Sequence, residues 1–169
     1  MNSLIHVAIG MVVLLVLGYL FMIWRGISQN WRTPELKAGR VVKVEEDLRT
    51  DFPFRIVGRP DQVYQIAGGL HITVDNKNRD VFRVYETDVA ELSLQAWLLR
   101  RNGLATTGHG YLVVNNRLTG ERRALRTVLW NDEKCERLIQ RYLDLVDGRV
   151  SAKKSTGPKC RSCGHRATC

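Results

Sequence analysis

Asp61, Asp75 and Lys77 are the residues whose types and spacing suit a reaction. Asp61 closes the segment Gly58-Arg59-Pro60-Asp61, and Asp75-Asn76-Lys77 begins fourteen residues after it. Between them, Gln65-Ile66-Ala67-Gly68-Gly69-Leu70 reads as a turn flanked by β-type residues. Two antiparallel strands joined there bring Asp61 and Asp75 to neighbouring positions at one end of a sheet. Strand alternation then puts residues 75 and 77 on the same face. Two carboxylates converging with a lysine suit a hard divalent cation beside a phosphodiester. Mg²⁺ takes one or two carboxylates plus water and phosphate oxygens, and a nearby ammonium stabilises developing negative charge. The main-chain carbonyl of Asn76 is a further candidate ligand. Taken singly, each pattern is short, and a solvated acid after a Gly-Arg-Pro turn accounts for Asp61 equally well.

A second cluster closes the chain. Cys160, Cys163 and Cys169 have the spacing C-x2-C-x5-C, which in a reducing compartment points to a metal or an iron–sulfur cluster rather than to disulfides. Three thiolates leave one position to fill, and Cys135 and His165 are the candidates for it. Cys135 also shares a helical face with Ile139, Tyr142 and Val146, where a small buried side chain fits. Glu91 and Gln95 lie one helical turn apart and are in position to face the first site. Glu91 also completes a capping box with Asp88. Glu45 and Glu46 could add a carboxylate. Trp97 and Trp130 read as core, and His71 and His109 have no evident partner.

The elements that must position these groups follow from periodicity. Strands are expected at Val41–Val44, Phe54–Tyr64 and Leu70–Val74. A helix runs from Asp88, as N-cap, to Arg100. Tyr111–Val114 and Arg122–Leu129 read as a hairpin joined by Asn115-Asn116-Arg117-Leu118-Thr119-Gly120. A last helix runs from Asn131 or Asp132 to about Asp147, and Gly148 ends it. No internal repeat is visible.

Leu4 to Trp24 contains no Asp, Glu, Lys or Arg. As a helix that stretch spans about 31 Å, enough for a bilayer core. Arg25, Arg32, Lys37 and Arg40 follow it, so the positive-inside rule puts the rest of the chain in the cytoplasm. The expectation is a single-pass protein of the inner (cytoplasmic) membrane, with a transmembrane anchor at 1–25 and a juxtamembrane linker at 26–39. One domain follows at 40–148, then a basic linker and the cysteine cluster at 149–169. The formal net charge is +9. Arg149, Lys153, Lys154, Lys159, Arg161 and Arg166, with no acid among them, suit nucleic acid or anionic lipid.

In this order the residues resemble the PD-(D/E)XK nuclease superfamily, and within it the RecB-like branch that includes CRISPR-associated iron–sulfur exonucleases. Gly58-Arg59-Pro60-Asp61 looks like that branch's Gly-x-x-Asp motif and Asp75-Asn76-Lys77 like its (Asp/Glu)-x-Lys motif. Glu91 and Gln95 stand where the branch has Gln-x-x-x-Tyr, and Cys160 to Cys169 looks like its cluster end. The branch's first cluster cysteine, upstream of the core, has no counterpart here. The resemblance implies an α/β fold, a restriction-endonuclease-like mixed β-sheet core flanked by helices, here preceded by one transmembrane helix. It implies a membrane-anchored, exonuclease-like deoxyribonuclease. Asp61, Asp75 and Lys77 would be catalytic, with Mg²⁺ or Mn²⁺ on Asp61, Asp75 and the Asn76 carbonyl. Glu91 and Gln95 would contact DNA, and the tail would carry a 4Fe–4S cluster, with Zn²⁺ as the alternative. A tethered DNA-binding adaptor with a structural metal tail and no catalysis is the other reading.

Overall fold

The structure, a computed structural model, describes residues 10–22, 30–153 and 156–167. They fall into two compact units, divided after Trp130. In the first, residues 10–22 are helical (α1) and exposed. Among the described residues no helix is long and apolar enough to cross a membrane. The rest of the expected anchor, 1–9 and 23–25, lies outside the described residues. Within the segment read as a linker, Pro34–Ala38 forms a short helix, α2. Pro34 opens it, Thr33 caps it, and Leu36 is fully buried.

The centre of this unit is a five-stranded mixed sheet, in the order β1-β4-β5-β6-β7. Its strands are β1 (Arg40–Val44), β4 (Gln62–Gln65), β5 (His71–Arg79), β6 (His109–Asn116) and β7 (Arg122–Val128). Pairing is antiparallel except for β5 with β6, which run parallel. A parallel pair needs a long crossover. Helix α3 (Glu86–Arg101) supplies it.

The strand expected over 54–64 is two. Pro60 has no N–H to give a ladder, and the chain breaks there. Ile56–Gly58 becomes β3 and pairs with β2 (Leu48–Thr50) in a separate two-stranded sheet. The turn between β4 and β5 is as expected, with Gly68 and Gly69 both at positive φ. The hairpin of β6 and β7 is also as expected.

The alternating side chains of β6 feed two apolar layers, and β5 adds Ile72 and Val74 to one of them. On one face Leu36 of α2 packs with Tyr64, Ile72, Val74, Tyr111 and Val113, and Trp31 lies against them. On the other, Leu92 of α3 packs with Leu112 and Val114, flanked by Phe82, Val84, Leu125 and Leu129. Each fully buried Leu or Val contributes about 1.5–3 kcal/mol. Trp97 is buried, as its core reading requires.

The second unit holds α4 (Asp132–Val146), capped by Asn131, whose side chain accepts from the Lys134 amide at 3.0 Å. Gly148 at φ 70 ends it. Cys135 and Ile139 are buried, while Tyr142 and Val146 on the same face are exposed. A 3-10 turn, Pro158–Ser162, sets Cys160 Sγ 3.3 Å from the Gly157 amide. No disulfide joins Cys135, Cys160 or Cys163. Cys169 lies outside the described residues.

The close approach of β5 and β6 rests on Gly110. A Cβ there would lie 2.9 Å from Thr73 Oγ1 and 3.0 Å from the Thr73 carbonyl oxygen, and the carbonyl is main chain that cannot step aside. At Gly58 the atom met is Leu98 Cδ2, the end of a side chain that can turn. Gly110→Ala is therefore expected to cost about 1–3 kcal/mol by urea denaturation. Gly58→Ala should cost clearly less in the same assay.

Candidate active site

Strand β5 lies at the centre of the sheet and carries Asp75 and Lys77, while Asp61 stands immediately before β4. Its register with β4 pairs Gln62 with Val74, which sets Asp61 opposite Asp75. Asp61 is anchored by two residues, Glu45 and Asn76. Its carbonyl oxygen accepts the Glu45 amide at 3.1 Å. Its Oδ2 accepts the main-chain N–H of Asn76 at 2.8 Å and, more weakly, the Asn76 side-chain amide at 3.4 Å. One carboxylate is thus tied to the main chain beside the other.

Asp75 is 2% exposed. Its Oδ2 is buried and receives no hydrogen bond, yet Lys77 Nζ sits 2.9 Å away as an ion pair. Burial pushes the Asp75 pKa up to about 6, and the negative charges of Glu91 and Asp61 add to the rise, against the pull of Lys77. Lys77 bridges two acids, meeting Glu91 Oε2 at 2.8 Å as well. Burial disfavours its charge, but Glu91 and Asp75 together hold its pKa above the ordinary lysine value.

Glu91 reaches Lys77 because α3 starts earlier than the sequence suggested. Tyr85 is the N-cap, and Asp88 lies in the first turn, where its Oδ2 accepts the Tyr85 amide at 2.8 Å. Asp88 also takes two bonds from the Arg79 guanidinium, at 2.5 and 2.7 Å. The capping role expected for Glu91 therefore falls to Asp88, and Glu91 is left to face β5. Gln95, one turn on, has its Oε1 buried with no hydrogen-bond partner. Glu46 pairs with Lys43 at 2.6 Å, and Glu45 contributes its amide to Asp61.

Among the described residues no three His, Cys, Asp or Glu side chains gather as a metal cluster. Mg²⁺ needs only one or two carboxylates, the rest being water and substrate oxygen. Asp75 offers a buried oxygen whose one polar contact among the described residues is the Lys77 ammonium, beside a second carboxylate, and those donors fit such an ion.

Three features gave no clear signal in the sequence. Arg122, on β7, donates from Nη2 to Asn76 Oδ1 at 2.7 Å. Glu35 of α2 accepts from Tyr111 at 2.8 Å and lies 2.9 Å from His109 Nε2. His109 thus has a partner, and so does His71, whose Nδ1 is 2.9 Å from the Ala105 carbonyl. All are pairings across distant parts of the chain, which periodicity does not report.

Because the Asp75 pKa is raised, folding favours its protonated form. Above about pH 6 the fold must carry a buried charge, and below about pH 4 it carries none in either state. Asp75→Asn is expected to stabilise the protein by roughly 1–2 kcal/mol at pH 7.5. The gain should shrink as pH falls through 6 and vanish by pH 4, read from chemical denaturation at each pH.

Comparison with known proteins bears on this geometry. The crystal structure of SSO0001 superposes with a TM-score of 0.52 at 14% sequence identity, covering 91% of this chain and 69% of that one, and shows a shared fold. No curated protein matches. Residues 20–169 match the family model described as the PD-(D/E)XK nuclease superfamily. The match takes in both strands of the motif and the crossover helix, and by it the chain belongs to the PD-(D/E)XK nuclease superfamily.

Proposed function

We propose that this protein is a membrane-anchored, divalent-metal-dependent deoxyribonuclease with an exonuclease-like, RecB-like core on the cytoplasmic side. The observation that carries the nuclease reading is the meeting of Asp61, at the entry to β4, with Asp75 and Lys77 on the neighbouring β5. Asp61, Asp75 and the Asn76 carbonyl would hold Mg²⁺ or Mn²⁺, which when bound supplies an activated water and neutralises phosphoryl charge. The chain does the rest. Asn76 fixes the Asp61 carboxylate through its main-chain N–H. Lys77 holds a positive charge at the buried oxygen of Asp75, where it can meet the attacking water or the phosphate. Glu91 keeps the Lys77 ammonium in place, and Gln95 is in line to meet the substrate from the same face of α3.

The apolar stretch from Leu4 to Trp24 supports the anchor, and the basic residues after it support the cytoplasmic orientation. The spacing of Cys160, Cys163 and Cys169 supports a 4Fe–4S cluster, with Cys135 or His165 as fourth ligand, or a Zn²⁺ site with the same donors.

The full chain, purified in detergent, is expected to cleave labelled single- or double-stranded DNA with Mn²⁺ and to stop on chelation. Asp75→Ala and Lys77→Ala should each lower the rate at least about 100-fold. Cleavage that survives both substitutions rules out this site, and DNA binding with no metal-stimulated cleavage selects the adaptor reading. The same preparation tests the remainder. It should stay with membranes after alkaline washing, and when purified without oxygen it should be brown, with broad absorbance near about 400 nm. Release by the wash removes the anchor, and a colourless protein with one bound Zn selects zinc.

A further inference from the structure

On the face of the sheet opposite Asp75 lies a groove of about 710 Å³, the size of a ligand site. Trp31, Asn115, Arg122 and the Glu121–Arg123 pair are among its lining, and Arg32 stands behind Trp31 rather than in the lining itself. The Arg122 guanidinium stacks 4.1 Å above the Trp31 ring and donates once, to Asn76. Its Nε is buried and has no acceptor. The Arg32 guanidinium lies 5.4 Å from the same ring, and its Nε is likewise buried without a partner. Neither arginine forms an ion pair among the described residues. Arg123, by contrast, is neutralised by Glu121 at 2.5 Å. Burial lowers the pKa of Arg122, and the positive charge of Arg32 lowers it further.

Each of these buried donors carries a desolvation cost if left unmade, and two neighbouring cations with no ion-pair partner of their own add repulsion. A fold carries such a pair at low cost when an anion completes it. A guanidinium fork matches phosphate oxygens in particular. The groove is also wired to the cleavage strand: Arg122 holds the Asn76 amide, and Asn76 holds Asp61. We propose that Arg122 and Arg32, framed by Trp31, form a subsite for a phosphodiester of the nucleic-acid strand, across β5 from the carboxylates. The inference deepens the nuclease reading, and rests on it for the identity of that strand as the one cut.

Binding without cleavage separates the two. The full chain is titrated in EDTA, which withholds divalent cations, against a fluorescein-labelled 15-mer, single-stranded or duplex, and anisotropy is read at several salt concentrations. Arg122→Gln should raise Kd about tenfold, as expected for one lost charge-assisted phosphate contact, and reduce the salt slope by about 1. Arg122→Lys, which keeps the charge but loses the fork, should fall between the two. Arg117→Gln, whose arginine pairs with Asp80 on the surface, should leave Kd unchanged. If Arg122→Gln does not fold by circular dichroism, Arg32→Gln carries the test with the same expected change. Wild-type Kd and salt slope in a folded variant overturn the subsite, whatever the cleavage result. So does a loss confined to phosphatidylglycerol vesicles, which assigns the groove to lipid. Arg122-dependent binding in a protein that never cleaves keeps the subsite and removes the nuclease reading.

Discussion

The parallel pairing of β5 with β6 is the constraint on which the rest of the structure depends. Two parallel neighbours cannot be joined by a tight turn, so the chain must leave the end of β5, cross one face of the sheet and return. That crossing is α3, and its packing on Leu112 and Val114 buries the face that carries Asp75. A carboxylate on an open strand end would titrate as an ordinary surface acid. Under α3 it is nearly dry, and the same helix brings Glu91 to Lys77. The electrostatics of the site are thus a product of topology as much as of residue choice.

Within that frame the charges oppose one another closely. Asp75, Asp61 and Glu91 repel, Lys77 binds two of them, and burial acts against both the acid and the ammonium. The balance leaves Asp75 reluctant to ionise on its own. A group so placed gains from any further positive charge, and that is a property of a metal ligand more than of a stabilising ion pair. The fold tolerates the cost because Asp61 and Asn76 are fixed by main-chain bonds that do not depend on it.

Much of this was legible in the sequence. Gly68-Gly69, the alternation of β5, the β6–β7 hairpin and the Asn131 cap are local signals, and local signals survive folding. The boundary errors have one cause each. Pro60 cut a strand that looked continuous by composition. Asp88, an apt N-cap by type, was claimed by Arg79 and the Tyr85 amide, which moved the start of α3 and released Glu91. Arg122, Glu35 and His109 could not be placed, because each depends on a partner at least 46 residues away, brought near only by the sheet. Leu36 was hidden for a related reason: a five-residue helix is too short to show a period.

The Arg79–Asp88 bridge has a consequence of its own. It spans the connection 80–85 and joins the last residue of β5 to the first turn of α3 through two bonds between planar groups. The ends of that connection are therefore set by the bridge together with the loop, whose Arg83 carbonyl accepts from Arg79 at 3.0 Å. The bridge thus fixes the spacing of Lys77 and Glu91 from its two ends, while Phe82 and Val84 pin the loop between them to the apolar layer under α3.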